Sequence, residues 1–106
     1  MDILLPKKLL DDLIEEATID CYDEYECLAG FGSLLGDKLL FPFPAQVVGE
    51  DVKVVGLDFE DEQIKVVCEK RGKKYKINIL DIEYDQKRIK NHQYVEAFRK
   101  WINGQS

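Results

Sequence analysis

Residues 45–80, AQVVGEDVKVVGLDFEDEQIKVVCEKRGKKYKINIL, alternate β-rich runs with turn-forming residues. The runs are Ala45–Val48, Val52–Phe59, Ile64–Lys70 and Tyr75–Leu80. Gly49-Glu50-Asp51, Glu60–Gln63 and Arg71-Gly72-Lys73 separate them, and each separator is turn material. Within the last run, Lys74-Tyr75-Lys76-Ile77-Asn78-Ile79 alternates polar with apolar, which predicts one wet and one buried face. Four short strands at this spacing predict an antiparallel meander or a small open barrel.

The flanks read differently. Immediately upstream, Phe41-Pro42-Phe43-Pro44-Ala45 is expected to be extended, because a residue preceding proline avoids the helical region. Further upstream, Leu9, Leu10, Leu13, Ile14 and Ala17 recur at helical spacing behind Pro6, predicting a helix from about Pro6 to Ile19. A second helical pattern carries Tyr25, Leu28, Ala29 and Leu35, with Asp20 or Asp23 as its cap. Gly30, Gly32 and Gly36 weaken that helix, so it is expected to be short or broken, stopping near Gly36-Asp37. Downstream, Asp81–Lys90 is irregular. Tyr94, Val95, Phe98, Trp101 and Ile102 then mark a terminal amphipathic helix closed by Asn103-Gly104. The expectation is an α+β fold: two N-terminal helices, an antiparallel meander or open barrel of about four strands, and a C-terminal helix. With 106 residues and no linker, one domain over 1–106 is expected.

Charge is unevenly spread. The net charge is −6, with 45% apolar and 34% charged residues. From Leu9 to Asp37 there are nine acids and no Lys, Arg or His, so that segment is −9 and the remainder +3. Such a run is either a solvated face, a cation site or a docking face for a basic protein. Nucleic acid is excluded as its ligand, because phosphates would be repelled. The longest uncharged stretch, Leu39–Gly49, is far short of the roughly 20 apolar residues that span a bilayer. Asp2 early and Lys7-Lys8 late are in the wrong order for a secretory signal, so a cytoplasmic protein without a membrane partner is expected.

Catalytic chemistry is poorly supplied. The chain has two serines, Ser33 and Ser106, and one histidine, His92, with no motif joining them. Gly30-Phe31-Gly32 lacks the preceding strand and the following Gly-Lys-Ser/Thr of a phosphate loop. Lys70-Arg71-Gly72-Lys73-Lys74 reads as a charged hairpin tip. Cys21 and Cys27 are six apart, not at zinc-ligand spacing, so reduced, buried thiols are expected for these and for Cys68. No enzymatic activity is expected. The enzyme alternative would need paired carboxylates with separated pKa values in one pocket.

Hard cations suit the acidic clusters better. Calcium takes six to eight oxygens from carboxylates, carbonyls and water, so dense acids beside irregular backbone favour it, while magnesium demands stricter octahedral geometry. The first cluster is Asp20, Asp23, Glu24 and Glu26 between the two helices. Asp37 is expected to return to it past the glycine-broken helix. Like charges three and four apart on a helix repel, and a bound cation would relieve that. The second cluster is Asp58-Phe59-Glu60-Asp61-Glu62, with Asp58, Glu60 and Asp61 as a possible second site against a solvated turn. An EF-hand count from Asp58 puts Gln63 where glycine is required and strands where helices belong, so that template is rejected.

Several short motifs in order complete the picture. Glu15-Glu16-Ala17-Thr18-Ile19-Asp20-Cys21-Tyr22, then Glu26 and Gly30-Phe31, resemble the opening of the small cyanobacterial calcium-binding protein family. Leu40-Phe41-Pro42-Phe43 through Val48-Gly49, the Val-rich strand, the basic hairpin and Glu96-Ala97-Phe98-Arg99-Lys100-Trp101 extend the resemblance over nearly the whole chain. It implies an acidic, non-EF-hand calcium binder of mixed helix and sheet, with Asp20, Glu26 and Asp37 in matching segments. Asp23 and Glu24 join them on charge alone. The resulting expectation is a cytosolic calcium buffer or sensor, with an acidic module docking a basic protein partner as the alternative.

Overall fold

The computed structural model describes residues 5–104, so Ser106 and the acidic start at Asp2 lie outside the described residues. Its contacts divide the chain into two compact units, residues 1–39 with 91–106, and residues 40–90.

The first unit is helical. Helix α1 spans Lys7–Ala17, α2 spans Glu24–Lys38 and α3 spans His92–Asn103. All three form where the apolar spacing predicts, but α2 is an unbroken 15-residue helix rather than a short or broken one. The reason lies at Gly30, where an added Cβ would sit 2.4 Å from the Ala17 carbonyl oxygen. Glycine there permits a close approach of α2 to the end of α1, so tertiary packing outweighs its poor helix propensity. Phe31, Phe98 and Trp101 form the aromatic centre of this unit, with Phe31 ring centroids 5.3 and 5.2 Å from the other two. Leu35, Val95 and Ala97 are buried with them. The Asn91 side chain donates to the Lys38 carbonyl at 2.7 Å, fastening the entry of α3 to the end of α2.

The second unit is a four-stranded antiparallel sheet in the order β1-β2-β3-β4. Its strands are β1 Phe43–Val47, β2 Glu50–Glu60, β3 Gln63–Lys70 and β4 Lys73–Asn78. It is therefore an open meander, and each strand falls on an expected run to within a few residues. Ile64, Val66 and Cys68 alternate on the buried face of β3, as period-2 spacing requires. The three hairpin loops are two residues long, Val48-Gly49, Asp61-Glu62 and Arg71-Gly72, and all six residues have positive φ. That is the type I′ geometry whose twist matches paired strands. After β4, two 3₁₀ turns at Ile79–Asp81 and Gln86–Arg88 occupy the irregular stretch. A Gln46–Glu83 bridge, with backbone bonds of 2.7 and 2.9 Å, ties it back to β1.

Candidate metal centre

The net charge of −6 is carried by the helical unit alone. Its sequence holds eleven acids against five bases, whereas residues 40–90 hold ten of each. The first place to seek a cation is therefore among the helices.

The α1–α2 corner is built by local hydrogen bonding. Helix α1 ends where both the Thr18 backbone N–H and its hydroxyl donate to the Ile14 carbonyl, at 3.0 and 2.8 Å. Asp20 then takes φ 59°, a left-handed conformation that aspartate tolerates better than most residues. Helix α2 begins at Asp23, whose extended backbone and side chain cap it: Oδ1 accepts the Glu26 N–H at 2.8 Å. Glu26 reaches back, its Oε2 accepting the Tyr22 N–H at 2.9 Å. This reciprocal arrangement satisfies two backbone donors, in the manner of a capping box displaced by one residue. Asp23 is thus the cap, one of the two residues expected for that role.

A covalent link closes the same corner. Cys21 and Cys27 form a disulfide with their Cα atoms 5.3 Å apart. This corrects the expectation of reduced, buried thiols at both positions. The first turn of α2 curls Cys27 back over the loop, and a 5.3 Å Cα separation lies within bridging range. Both cysteines are half-buried. Cys68, in contrast, is a free, buried thiol in β3, and burial raises its pKa.

Four of the five candidate ligands lie in this corner and one does not. Asp20, Asp23, Glu24 and Glu26 fall within the seven positions 20–26 of the corner, and all four are exposed. Asp23 and Glu26 each commit one carboxylate oxygen to a backbone N–H, leaving Oδ2 and Oε1 for another partner. Asp37 is thirteen residues beyond Glu24 on the same continuous helix, about 20 Å along the axis at 1.5 Å per residue. The expectation that it folds back to the first cluster is thereby corrected. Its neighbour Lys38 places Nζ 3.9 Å from its Oδ2. Among the described residues, no three His, Cys, Asp or Glu side chains are already grouped to hold a metal ion.

The second acidic cluster is partly neutralised by lysines of the neighbouring strands. Lys76 Nζ lies 2.6 Å from Asp58 Oδ2 and 3.1 Å from Glu60 Oε2. Lys65 Nζ lies 3.3 Å from Glu60 Oε1 and 3.5 Å from Asp61 Oδ2. The hydrogen bond from Lys76 holds the Asp58 and Glu60 carboxyls below the usual carboxylate range, and the same hydrogen bonds, with the carboxylate charges behind them, push the Lys76 pKa up. The segment is a hairpin between β2 and β3, as the rejection of an EF-hand requires. One further pair joins α3 to α1: Lys100 Nζ donates to Asp11 Oδ1 at 2.6 Å and lowers the Asp11 pKa.

Comparison with known proteins points the same way. A family model described as calcium binding, of the CcbP type, matches residues 11–102. The fold is similar to the crystal structure of Anabaena CcbP, with a TM-score of 0.72 at 24% identity, covering 96% of this chain and 93% of that one. It is also similar to a calcium-binding protein in its calcium-binding form, with a TM-score of 0.69 at 23% identity, covering 97% and 94%. No curated protein sequence matches the chain.

Proposed function

Since the chain belongs to the CcbP-type calcium-binding family, we propose that its calcium site is the α1–α2 corner, with Asp20, Asp23, Glu24 and Glu26 as carboxylate ligands. The observation that carries this reading is the confinement of the whole −6 charge to the helical unit, with four carboxylates in seven residues of a bridged turn. Calcium would draw on the uncommitted oxygens of Asp23 and Glu26, on Asp20 and Glu24 after side-chain rotation, and on carbonyls and water. Asp37 serves a separate contact. It sits in the last turn of α2, where unpaired carbonyls and the negative end of the helix dipole favour a cation. The biological role is buffering or sensing of calcium in the cytoplasm, without catalysis. The experiment is calcium titration calorimetry on the parent chain, Asp20→Asn and Asp37→Asn. Saturable binding weakened by Asp20→Asn supports the corner. Binding weakened only by Asp37→Asn moves the site to the end of α2, and no saturation defeats the reading.

A second reading has its own observation. Ile19, Tyr22 and Tyr25 are 72%, 89% and 53% exposed within the acidic corner. Apolar groups ringed by carboxylates suit a cationic amphipathic segment of a protein partner. That reading predicts salt-sensitive binding of a Lys/Leu-rich amphipathic peptide, lost in Tyr22→Ser.

A further inference from the structure

The Cys21–Cys27 disulfide encloses Tyr22, Asp23, Glu24, Tyr25 and Glu26, and Asp20 lies just outside it. Every carboxylate of the corner is therefore within the ring or next to it. Two hydrogen bonds lie across the same ring, Asp23 Oδ1 with the Glu26 N–H and Glu26 Oε2 with the Tyr22 N–H. Cys27 is also the residue whose N–H makes a first-turn helical bond of α2, to the Asp23 carbonyl at 3.0 Å. Cys21 is held from the α1 side, donating to the Thr18 carbonyl at 3.2 Å. The bridge thus pins the exit of α1 to the entry of α2 at the point where the carboxylates gather.

Its sulfurs sit on half-buried residues at the surface, and Asp20 and residues 22–26 beside them are exposed. In the cytoplasm proposed above for this chain, where thiols are kept reduced, a bridge in a surface turn is characteristically redox-sensing rather than structural.

We infer that the Cys21–Cys27 pair is a thiol–disulfide switch that sets the calcium affinity of the α1–α2 corner, oxidised tight and reduced weak; this rests on the assignment of calcium to that corner. The reductant is a dithiol. One of its thiolates attacks a bridge sulfur, forming a mixed disulfide and releasing the other cysteine as a thiolate that takes up a proton. The second reductant thiol then closes on its own partner sulfur and frees the remaining cysteine. Two electrons pass to the protein and the reductant leaves as a cyclic disulfide. Opening the ring lets Asp20 and Cys21 swing away from α2, to which the loop then stays held through the Tyr22 N–H on Glu26. Asp20 then separates from the three carboxylates held at the start of α2, and calcium must gather it again before the full ligand set is formed. Preorganisation of this kind acts directly on affinity.

Linkage makes the effect reciprocal: calcium must protect the disulfide by the same factor by which the disulfide strengthens calcium binding. A tenfold coupling corresponds to about 30 mV in the two-electron potential.

The test is calcium calorimetry on the full chain in three forms: oxidised, reduced with dithiothreitol, and Cys21→Ser/Cys27→Ser. Mass-verified thiol counts establish the state of each, and circular dichroism establishes folding. The expected result is Kd about tenfold weaker in the reduced chain and in the double variant, with the variant indifferent to reductant. In glutathione buffers, calcium should shift the disulfide toward the oxidised form by the same factor in the parent chain. Equal Kd in the oxidised and reduced chains overturns the switch while leaving calcium binding standing. Saturation in neither state overturns the calcium assignment itself, and the switch with it. If the double variant does not fold, the parent chain's two redox states still decide the matter.

Discussion

Asp23 and Glu26 cap α2 together: the Asp23 carboxylate takes the Glu26 backbone N–H at 2.8 Å, and the Glu26 carboxylate turns back to the Tyr22 N–H at 2.9 Å. The same two side chains are proposed calcium ligands, so each carboxylate serves capping through one oxygen and cation binding through the other. Substitution separates the roles. Asparagine caps a helix as well as aspartate, whereas alanine loses about 1 kcal/mol at such a site. Asp23→Asn should therefore melt near the parent temperature and lose calcium affinity, while Asp23→Ala should lose both. Thermal melts with and without calcium measure the two effects independently.

Val48 offers a cleaner stability prediction. It is a β-branched residue at φ 50° in the first position of the Val48-Gly49 loop, and it is 94% exposed. Positive φ is unfavourable for a branched side chain, and nothing is buried in return. Asn-Gly is the preferred pair for a type I′ turn. Val48→Asn should raise stability by roughly 1 kcal/mol, within the range given by relieving a strained backbone position. Urea denaturation would show this as a higher midpoint at an unchanged m-value.

Two glycines in α2 should respond in opposite directions. At Gly36 nothing lies within 4 Å of an added Cβ, so Gly36→Ala should gain about 0.5–1 kcal/mol from helix propensity and reduced unfolded-state entropy. At Gly30 the added Cβ would meet the Ala17 carbonyl oxygen at 2.4 Å, and backbone cannot rotate aside as a side chain can. Gly30→Ala should lose roughly 1–3 kcal/mol, as overpacked sites do, despite the same gain in propensity. Stabilisation at Gly30 would refute the close approach of α2 to the end of α1, and destabilisation at Gly36 would refute the open space beside it.

These glycines also show where sequence reasoning succeeds and where it stops. The strands were legible because Ile64, Val66 and Cys68 must share a face when side chains alternate. The reach of α2 was not, because propensity charges Gly30 a helix penalty and cannot see the Ala17 carbonyl that makes glycine the residue that fits. Once α2 is continuous, Asp37 is carried away from the first acidic cluster by geometry alone. The Asp23-x-x-Glu26 spacing is that of a capping pair, a signal that would have chosen Asp23 over Asp20 as the cap. In contrast, Cys21 and Cys27 gave no signal, since a separation of six specifies neither a bridge nor a metal site until a helix turn sets their distance. The ion pairs at Asp58 and Glu60 were hidden for a related reason. Lys76 reaches them from β4 across the whole width of β3, a proximity that only the strand register creates.

That cross-strand network predicts an acid response. Asp58 and Glu60 have folded-state pKa values below their ordinary 3.8 and 4.5, owing first to the hydrogen bond from Lys76. Groups acidified by folding contribute stability that is fully present above their unfolded pKa values and is lost as pH falls through the folded ones. Stability should therefore decline as the pH drops below about 4.5, and Lys76→Met should flatten that part of the profile. Carbon-detected NMR titration should show both carboxyl pKa values rising in the variant. The pairs are exposed, so 1 M salt should mute the difference.

Calcium itself should act on the whole molecule by mass action. Any ligand bound by the folded chain alone adds RT ln(1 + [L]/Kd), about 2.7 kcal/mol at a hundred times Kd. For a chain of this size each kcal/mol moves the melting temperature by roughly 4–8 °C, so saturating calcium should raise it by more than about 10 °C. Ionic strength must be held constant, because simple screening also relieves repulsion in a helical unit that carries the entire net charge of −6. Magnesium at the same ionic strength should shift the melt much less, since it sheds water reluctantly and demands near-ideal octahedral geometry, whereas calcium accepts irregular sets of six to eight oxygens. Equal shifts from both ions would mean that screening, not coordination, stabilises the helices.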